Sequence, residues 1–140
     1  MRKIFLAPLL ILSIALSLFA SGYQNINAKE AYELVKNGAL FIDVRTTKEY
    51  KRLHPKGAKL VPIYDEVNGK VEPNQNFLKE IEYLANDDYD KPIVIICRSG
   101  HRSANAAEIL VKAGFGKVYN VIRGFYTRGG WLDYRLPVEK

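Results

Sequence analysis

The sequence predicts an α/β fold in which helices cover both faces of a central parallel sheet. The clearest indication is a run of four β-branched residues at positions 93–96, which is typical of a strand buried on both faces. A helix-forming stretch follows this strand, and strands alternate with helices along the rest of the chain. Such alternation implies parallel strands joined by right-handed crossover connections.

Local signals define the elements in the first half of the chain. The predicted order is a helix over residues 28–37, a strand over 39–44, a short helix over 49–52, a strand over 59–63 and a loop over 64–73. Asn27 and Glu30 form a capping-box pattern at the start of the first helix. Thr46 or Thr47 caps the second helix, and an Asn-Gly pair marks a turn inside the loop.

The second half contains two longer helices and two strands. The predicted order is a helix over residues 76–85, a linker over 86–92, the strand over 93–96, a helix over 102–113 and a strand over 117–121. Phe77, Ile81 and Leu84 lie at positions i, i+4 and i+7, which indicates an amphipathic helix. Gly114 or Gly116 ends the last helix.

Length and charge limit the classes of function. A chain of 140 residues is long enough for one domain with a sizeable core. Its net charge of +6 favours the recruitment of small anions. Basic proteins also bind nucleic acids, but the sequence has neither a basic run nor a basic stripe interleaved with aromatic residues. We therefore expect no nucleic-acid partner.

Residues 1–22 have the pattern of an export leader. Arg2 and Lys3 precede an apolar stretch over residues 4–20, and the small residues that follow predict cleavage near residues 20–22. An uncleaved membrane anchor is the alternative, because the apolar stretch reaches the lower limit for a span, about 17 residues. In either case we expect an exported domain in a bacterial periplasm, in contact with a membrane only if the leader is uncleaved.

Cys97, the only cysteine of the chain, directly follows the strand over residues 93–96. Open parallel sheets bind their ligands at the carboxyl ends of strands. The N-terminus of the next helix and the guanidinium groups of Arg98 and Arg102 add positive charge there, which favours a thiolate over a thiol. A buried structural cysteine is the alternative. The flanking arginines, and a glycine at position 100 that permits a tight turn, favour a reactive sulfur.

Three separated stretches resemble the rhodanese family of sulfurtransferases. The run Cys-Arg-Ser-Gly-His-Arg-Ser, from Cys97 to Ser103, is similar to the active-site loop of that family. Residues 41–45, 49–50 and 54–58 are similar to its amino-terminal signature. The carboxyl-terminal signature is matched by Gly124, Phe125, Trp131 and residues 136–138. The resemblance covers residues 27–138 and implies a single rhodanese domain with a three-layer α/β fold.

The resemblance also implies a reaction. Cys97 would take a sulfane sulfur from thiosulfate or a related anionic donor as a persulfide, and would pass it to cyanide or a thiol. A periplasmic protein of sulfur metabolism is a further candidate partner, and the chemistry needs no metal or organic cofactor. The residues expected to bind substrate are Arg98, Ser99, Gly100, His101, Arg102 and Ser103, with Asp43 and Arg45 as supporting residues. One of the loop arginines could instead be structural and pair with Asp43 or Glu49.

The chain departs from the family pattern at a few positions. Leu53 and Arg123 stand where the family carries glycines, and Trp131 comes a few residues late. Arg123 and Arg128 are candidates for holding an anion, with solvated surface arginines as an equal alternative. We interpret Trp131 as a core aromatic residue, and His54 as a hydrogen-bonded structural residue rather than a proton carrier.

Two other functions remain open at this point. Cysteine phosphatases carry a similar loop that is one residue longer, whereas four residues separate Cys97 from Arg102 here. The shorter loop favours a pocket of sulfur size over one that wraps a phosphate. A persulfide carrier with little turnover needs the same loop as a catalyst, so the sequence does not separate these two functions.

Overall fold

The computed structural model describes residues 22–140. Except for Gly22, the predicted leader lies outside the described residues. The strands are β1 (Gln24–Ile26), β2 (Leu40–Asp43), β3 (His54–Pro55), β4 (Lys59–Leu60), β5 (Tyr64–Val67), β6 (Lys70–Pro73), β7 (Ile93–Ile96), β8 (Val118–Val121) and β9 (Val138–Glu139). The helices are α1 (Ala28–Lys36), α2 (Thr47–Arg52), α3 (Phe77–Leu84) and α4 (His101–Ala113). Within this part of the chain, no helix has the length and apolar composition needed to cross a membrane.

Five of the strands form one parallel sheet in the order β1-β8-β7-β2-β4. The central strand β7 contributes its residues alternately to two apolar clusters. Ile93 and Ile95 pack with side chains of α3 and α4, whereas Val94 and Ile96 pack with side chains of α1. Helices therefore cover both faces, and the predicted α/β class with a central parallel sheet is confirmed. This topology places Cys97 at the carboxyl end of the central strand.

The predicted loop over residues 64–73 is wrong, because this segment forms the antiparallel hairpin β5–β6. Its turn residues Asn68 and Gly69 have φ angles of 51° and 77°, as tight hairpin turns of the mirror-image type require. The two strands are almost entirely exposed. They therefore lack the alternation of apolar and polar residues from which a half-buried strand is recognised.

The edge strand β1 is also absent from the prediction. Only Ile26 of its three residues is buried, so the segment carries no apolar run. It is a strand because its backbone pairs in parallel with β8, from Gln24 opposite Tyr119 to Ile26 opposite Val121. A partner so distant in sequence leaves no local signal.

Candidate active site

The Cys97 sulfur lies between β7 and the N-terminus of α4. It accepts hydrogen bonds from the backbone N–H of Gly100 at 3.1 Å and from the hydroxyl of Ser103 at 3.2 Å. The side chain is 1% exposed, and the chain contains no second cysteine with which it could pair. The N–H of Gly100 and the N-terminus of α4 therefore place positive partial charge next to the sulfur.

The loop that carries Cys97 is clamped against the segment after β8. The carbonyl groups of Cys97 and Arg98 accept hydrogen bonds from the backbone N–H of Phe125 at 2.9 and 3.1 Å. Gly100 has φ of 98°, and a Cβ atom there would lie 2.2 Å from the carbonyl oxygen of Ile122. Only glycine fits this backbone conformation and this close approach. The loop is therefore preorganised around the sulfur by its own backbone.

A polar chain continues from Ser103 away from the sulfur, through the buried Asn120 to the exposed Asn25. The hydroxyl of Ser103 lies 2.6 Å from Oδ1 of Asn120, and Nδ2 of Asn120 donates to Oδ1 of Asn25 at 3.0 Å. The hydroxyl has one proton and two acceptors, the sulfur of Cys97 and the amide oxygen of Asn120. With a thiol, the S–H group donates to Ser103 and the hydroxyl donates to Asn120. With a thiolate, the hydroxyl donates to the sulfur.

Asn120 is missing from the site residues expected from the sequence. It is 2% exposed and also donates to the carbonyl of Gly100 at 3.3 Å, so it supports the loop at two points. The sequence did contain one signal for Asn120, an amide side chain within the largely buried strand β8. A buried polar group needs a hydrogen-bond partner, so such a residue indicates a polar contact inside the protein. The sequence did not indicate that its partner is Ser103.

Arg102 is held by Glu49 of α2. Its guanidinium group binds both carboxylate oxygens, at 2.7 and 3.0 Å. Glu49 also accepts a hydrogen bond from the backbone N–H of Thr46 at 3.2 Å and thereby completes a capping box at the start of α2. Of the two partners considered for a loop arginine, the geometry therefore selects Glu49 for Arg102. This bidentate ion pair fixes the position of one positive charge beside the Cys97 loop.

The pair between Arg102 and Glu49 depends on pH in the acid range. Burial raises the pKa of Glu49, but hydrogen bonds from Arg102 and Thr46 outweigh burial and lower this pKa from 4.5 to about 2. A carboxyl whose pKa falls on folding stabilises the folded state above its unfolded pKa. The contribution is therefore complete above about pH 5 and is lost as the pH falls towards 2. Because the pair is partly exposed, solvent screening limits it to about 1 kcal/mol.

We expect Glu49→Gln to lower the free energy of unfolding by about 1 kcal/mol at neutral pH, and by progressively less as the pH falls from about 5 to about 2. Urea denaturation of both proteins across this range measures the difference. Glu108→Gln, at an exposed position of α4, is the control and is expected to show no such trend. A difference that stays constant with pH would contradict the assignment of Glu49.

The other loop side chains face solvent. Arg98, Ser99 and His101 are exposed, and the guanidinium group of Arg98 lies 5.6 Å from the ring centroid of Tyr126. Of the six residues that follow Cys97 in the predicted loop, Gly100 and Ser103 form hydrogen bonds with its sulfur. The substrate-binding roles of all six residues that follow Cys97 in this loop stay predictions. Arg123 and Arg128 are also exposed, and their proposed contact with an anion stays a prediction too.

Asp43 and Arg45 form a buried ion pair beside the site. Nη2 and Nε of Arg45 lie 2.7 and 3.1 Å from Oδ2 of Asp43, and both side chains are 0% exposed. Nη2 of Arg45 also donates to the carbonyl of Leu53 at 2.8 Å, and the guanidinium group lies 4.5 Å from the ring centroid of Phe125. The pair therefore supports Phe125, whose backbone holds the Cys97 loop.

His54 and Trp131 have structural contacts. His54 is buried, its Nδ1 lies 2.8 Å from the carbonyl oxygen of Tyr50, and its ring stacks on the Tyr50 ring at 3.6 Å. Trp131 is 1% exposed, and its indole N–H donates to the carbonyl of Pro137 at 2.9 Å. Both contacts agree with the roles expected from the sequence. Within residues 22–140 no cluster of three His, Cys, Asp or Glu side chains is arranged to hold a metal ion.

Comparison with known proteins gives one family. The model of the rhodanese-like domain matches residues 27–127. Thiosulfate sulfurtransferase 18 of Arabidopsis thaliana is 36% identical over 130 residues, which cover 91% of each chain. Thiosulfate sulfurtransferase GlpE of Haemophilus influenzae is 33% identical over 117 residues, which cover 84% of this chain and 95% of that protein.

A solved structure agrees with these relatives. The crystal structure of Rv0390 from M. tuberculosis superposes with a TM-score of 0.68 at 29% identity and covers 84% of this chain and 98% of its own. The family match spans most of the residues that build the sheet and the whole Cys97 loop. The resemblance carried by the three sequence stretches is thereby confirmed. The chain is a sulfurtransferase that belongs to the rhodanese-like family.

Proposed function

We propose that the protein moves a sulfane sulfur from thiosulfate or a related anionic donor to a thiol or cyanide through a persulfide on Cys97. The observation that carries the proposal is the placement of the only cysteine at the N-terminus of α4, with two donors on its sulfur. Such surroundings stabilise a thiolate, which is the nucleophilic form of cysteine. Relatives named thiosulfate sulfurtransferases support this class of donor.

In the first half-reaction the thiolate of Cys97 attacks the outer sulfur of thiosulfate. A new S–S bond forms, the S–S bond of thiosulfate breaks, and sulfite leaves with the electron pair. The exposed guanidinium group of Arg98 suits the charge of the donor and of the leaving sulfite. The guanidinium group of Arg102 is already bound to Glu49, so Arg102 contributes a fixed positive charge rather than a free binding group.

In the second half-reaction the acceptor attacks the outer sulfur of the persulfide. The S–S bond to Cys97 breaks, and Cys97 returns to the thiolate with that electron pair. The N–H of Gly100 and the hydroxyl of Ser103 are placed to stabilise the returning charge. Neither half-reaction needs an external oxidant or reductant.

The intact mass of the protein before and after incubation with thiosulfate tests the proposal. We expect a gain of one sulfur atom and its loss after addition of cyanide. The matched control is protein whose Cys97 is alkylated with iodoacetamide, since the chain offers no other cysteine to the reagent. Absence of the gain in unmodified protein, or an equal gain in alkylated protein, would contradict the proposal. Thiocyanate in large excess over protein would identify a catalyst, and one equivalent would identify a carrier.

We also propose export to a bacterial periplasm, where a periplasmic protein of sulfur metabolism could serve as partner. The leader pattern of residues 1–22 supports this location. The intact mass of protein recovered from the periplasm is expected to lack about 20 to 22 residues. Recovery of the full-length chain from the cytoplasm alone would contradict both export and cleavage.

A further inference from the structure

The hydroxyl of Ser103 lies between two acceptors that compete for its one proton. The sulfur of Cys97 is 3.2 Å from the Oγ atom of Ser103, and Oδ1 of Asn120 is 2.6 Å from it. Ser103 is 0% exposed and Asn120 is 2% exposed, so bulk solvent supplies neither side chain with another partner. The position of the proton is therefore decided by the chemical state of the sulfur.

The amide group of Asn120 presents its oxygen to Ser103 in a fixed orientation. Its Nδ2 atom donates to the backbone carbonyl of Gly100 at 3.3 Å and to Oδ1 of Asn25 at 3.0 Å. An exchange of the two amide atoms would set Oδ1 of Asn120 against the carbonyl oxygen of Gly100, and two acceptors repel each other. Among residues 22–140, Ser103 is the only donor to Oδ1 of Asn120. This oxygen therefore depends on the Ser103 proton.

The sulfur of Cys97 alternates between two states in the proposed reaction. As a thiolate it is a charged acceptor, so the Ser103 hydroxyl donates to it. Oδ1 of Asn120 is then left without a donor in a buried position, which destabilises the thiolate state. In the persulfide the same sulfur has two covalent bonds and is a weak acceptor, because the negative charge resides on the outer sulfur. The hydroxyl then donates to Asn120, and both buried groups are satisfied.

We propose that Asn120 is a positioning residue that acts through Ser103 to favour the persulfide of Cys97 over the thiolate. This inference rests on the proposed function and adds a residue to it. In the loading step the thiolate attacks the outer sulfur of thiosulfate, an S–S bond forms, another breaks, and sulfite leaves with the electron pair. Support of the loop is a lesser role for Asn120, because the carbonyl of Gly100 also accepts a hydrogen bond from the N–H of Ala104 at 3.2 Å.

The test measures the equilibrium constant of loading. Protein is equilibrated with mixtures of thiosulfate and sulfite, and intact mass gives the loaded fraction at each ratio. We expect the constant to fall about tenfold in Asn120→Leu, which is similar in size and removes the acceptor that satisfies Ser103 in the persulfide state. We expect it to rise about two- to fivefold in Ser103→Ala. That variant removes a charge-assisted hydrogen bond from the thiolate state but only a neutral one from the persulfide state.

Two further variants separate this role from general support of the loop. The double variant Ser103→Ala with Asn120→Leu is expected to have the constant of Ser103→Ala alone, because Asn120 acts only through the hydroxyl. Asn25→Ala is the matched control and is expected to stay within about twofold of the wild type, since it removes a contact of Nδ2 and leaves Oδ1 in place.

A wild-type constant in Asn120→Leu, or an equal fall in Asn25→Ala, overturns the inference. So does a fall caused by Asn120→Leu that is equally large when Ser103 is already alanine. Thermal unfolding shows whether each variant is folded. If Asn120→Leu does not fold, Ser103→Ala decides alone, since a rise supports the inference and a fall overturns it. Failure of the wild type to gain sulfur at any ratio would instead defeat the proposed function, and this inference with it.

Discussion

Cys97→Ser is expected to reduce sulfur transfer from thiosulfate at least about a thousandfold, because it removes the nucleophile. A serine hydroxyl is neutral at physiological pH, so it offers no anion to attack the donor sulfur. The substitution is nearly isosteric, and the N–H of Gly100 and the hydroxyl of Ser103 can still donate to the oxygen. The fold is therefore expected to survive. Steady-state formation of thiocyanate from thiosulfate and cyanide measures the loss.

Thermal unfolding of the same variant is the control, and a midpoint close to that of the wild type is expected. The intact mass of Cys97→Ser should show no added sulfur after thiosulfate, since no other thiol exists in the chain. Transfer at a rate close to that of the wild type would mean that another group takes up the sulfur. Cys97 would then be a buried structural residue, the alternative that its low exposure alone would suggest.

Asp43→Ala is expected to lower the free energy of unfolding by about 3–5 kcal/mol. The substitution leaves the guanidinium group of Arg45 buried without a countercharge, and Nη1 of Arg45 already has no hydrogen-bond partner among residues 22–140. The cost of a buried, unpaired charge is much larger than the net value of the intact pair. Denaturant unfolding of the wild type and the variant measures the difference.

Two further variants show whether burial is the cause. Glu33→Ala removes an exposed ion pair with Lys36 and is expected to cost less than about 1 kcal/mol. Replacing both buried partners, Asp43→Leu with Arg45→Met, is expected to recover most of the stability, because no charge then remains buried. A cost for Asp43→Ala no larger than that for Glu33→Ala would contradict this account.

The elements that were predicted from the sequence are those determined by residues close together in the chain. The apolar run before Cys97 fixes a buried strand, and the two capping boxes fix the starts of α1 and α2 within a few residues of chain. The active-site loop was also readable, because its residues are contiguous. The Asn-Gly turn of the β5–β6 hairpin was recognised, but its exposed strands gave no periodic pattern.

The parts that escaped prediction depend on contacts between distant residues. Asn120 forms a hydrogen bond with Ser103, which is 17 positions away in the sequence, and Arg102 binds Glu49, which is 53 positions away. The sequence offered two carboxylates for a loop arginine, and only the packing of α2 against the loop selects one. The spacing of residues along the sequence carries no information about such long-range contacts.

The pairing of β1 with β8 has a consequence for the order of folding. Asn25 and Asn120, on these neighbouring strands, are 95 positions apart in the chain. Contacts of such high sequence separation form slowly, because a long loop has to close first. Synthesis starts at the N-terminus, so β1 is made early and stays unpaired until β8 follows. The polar chain that ends at the sulfur is thus completed only after most of the domain has left the ribosome.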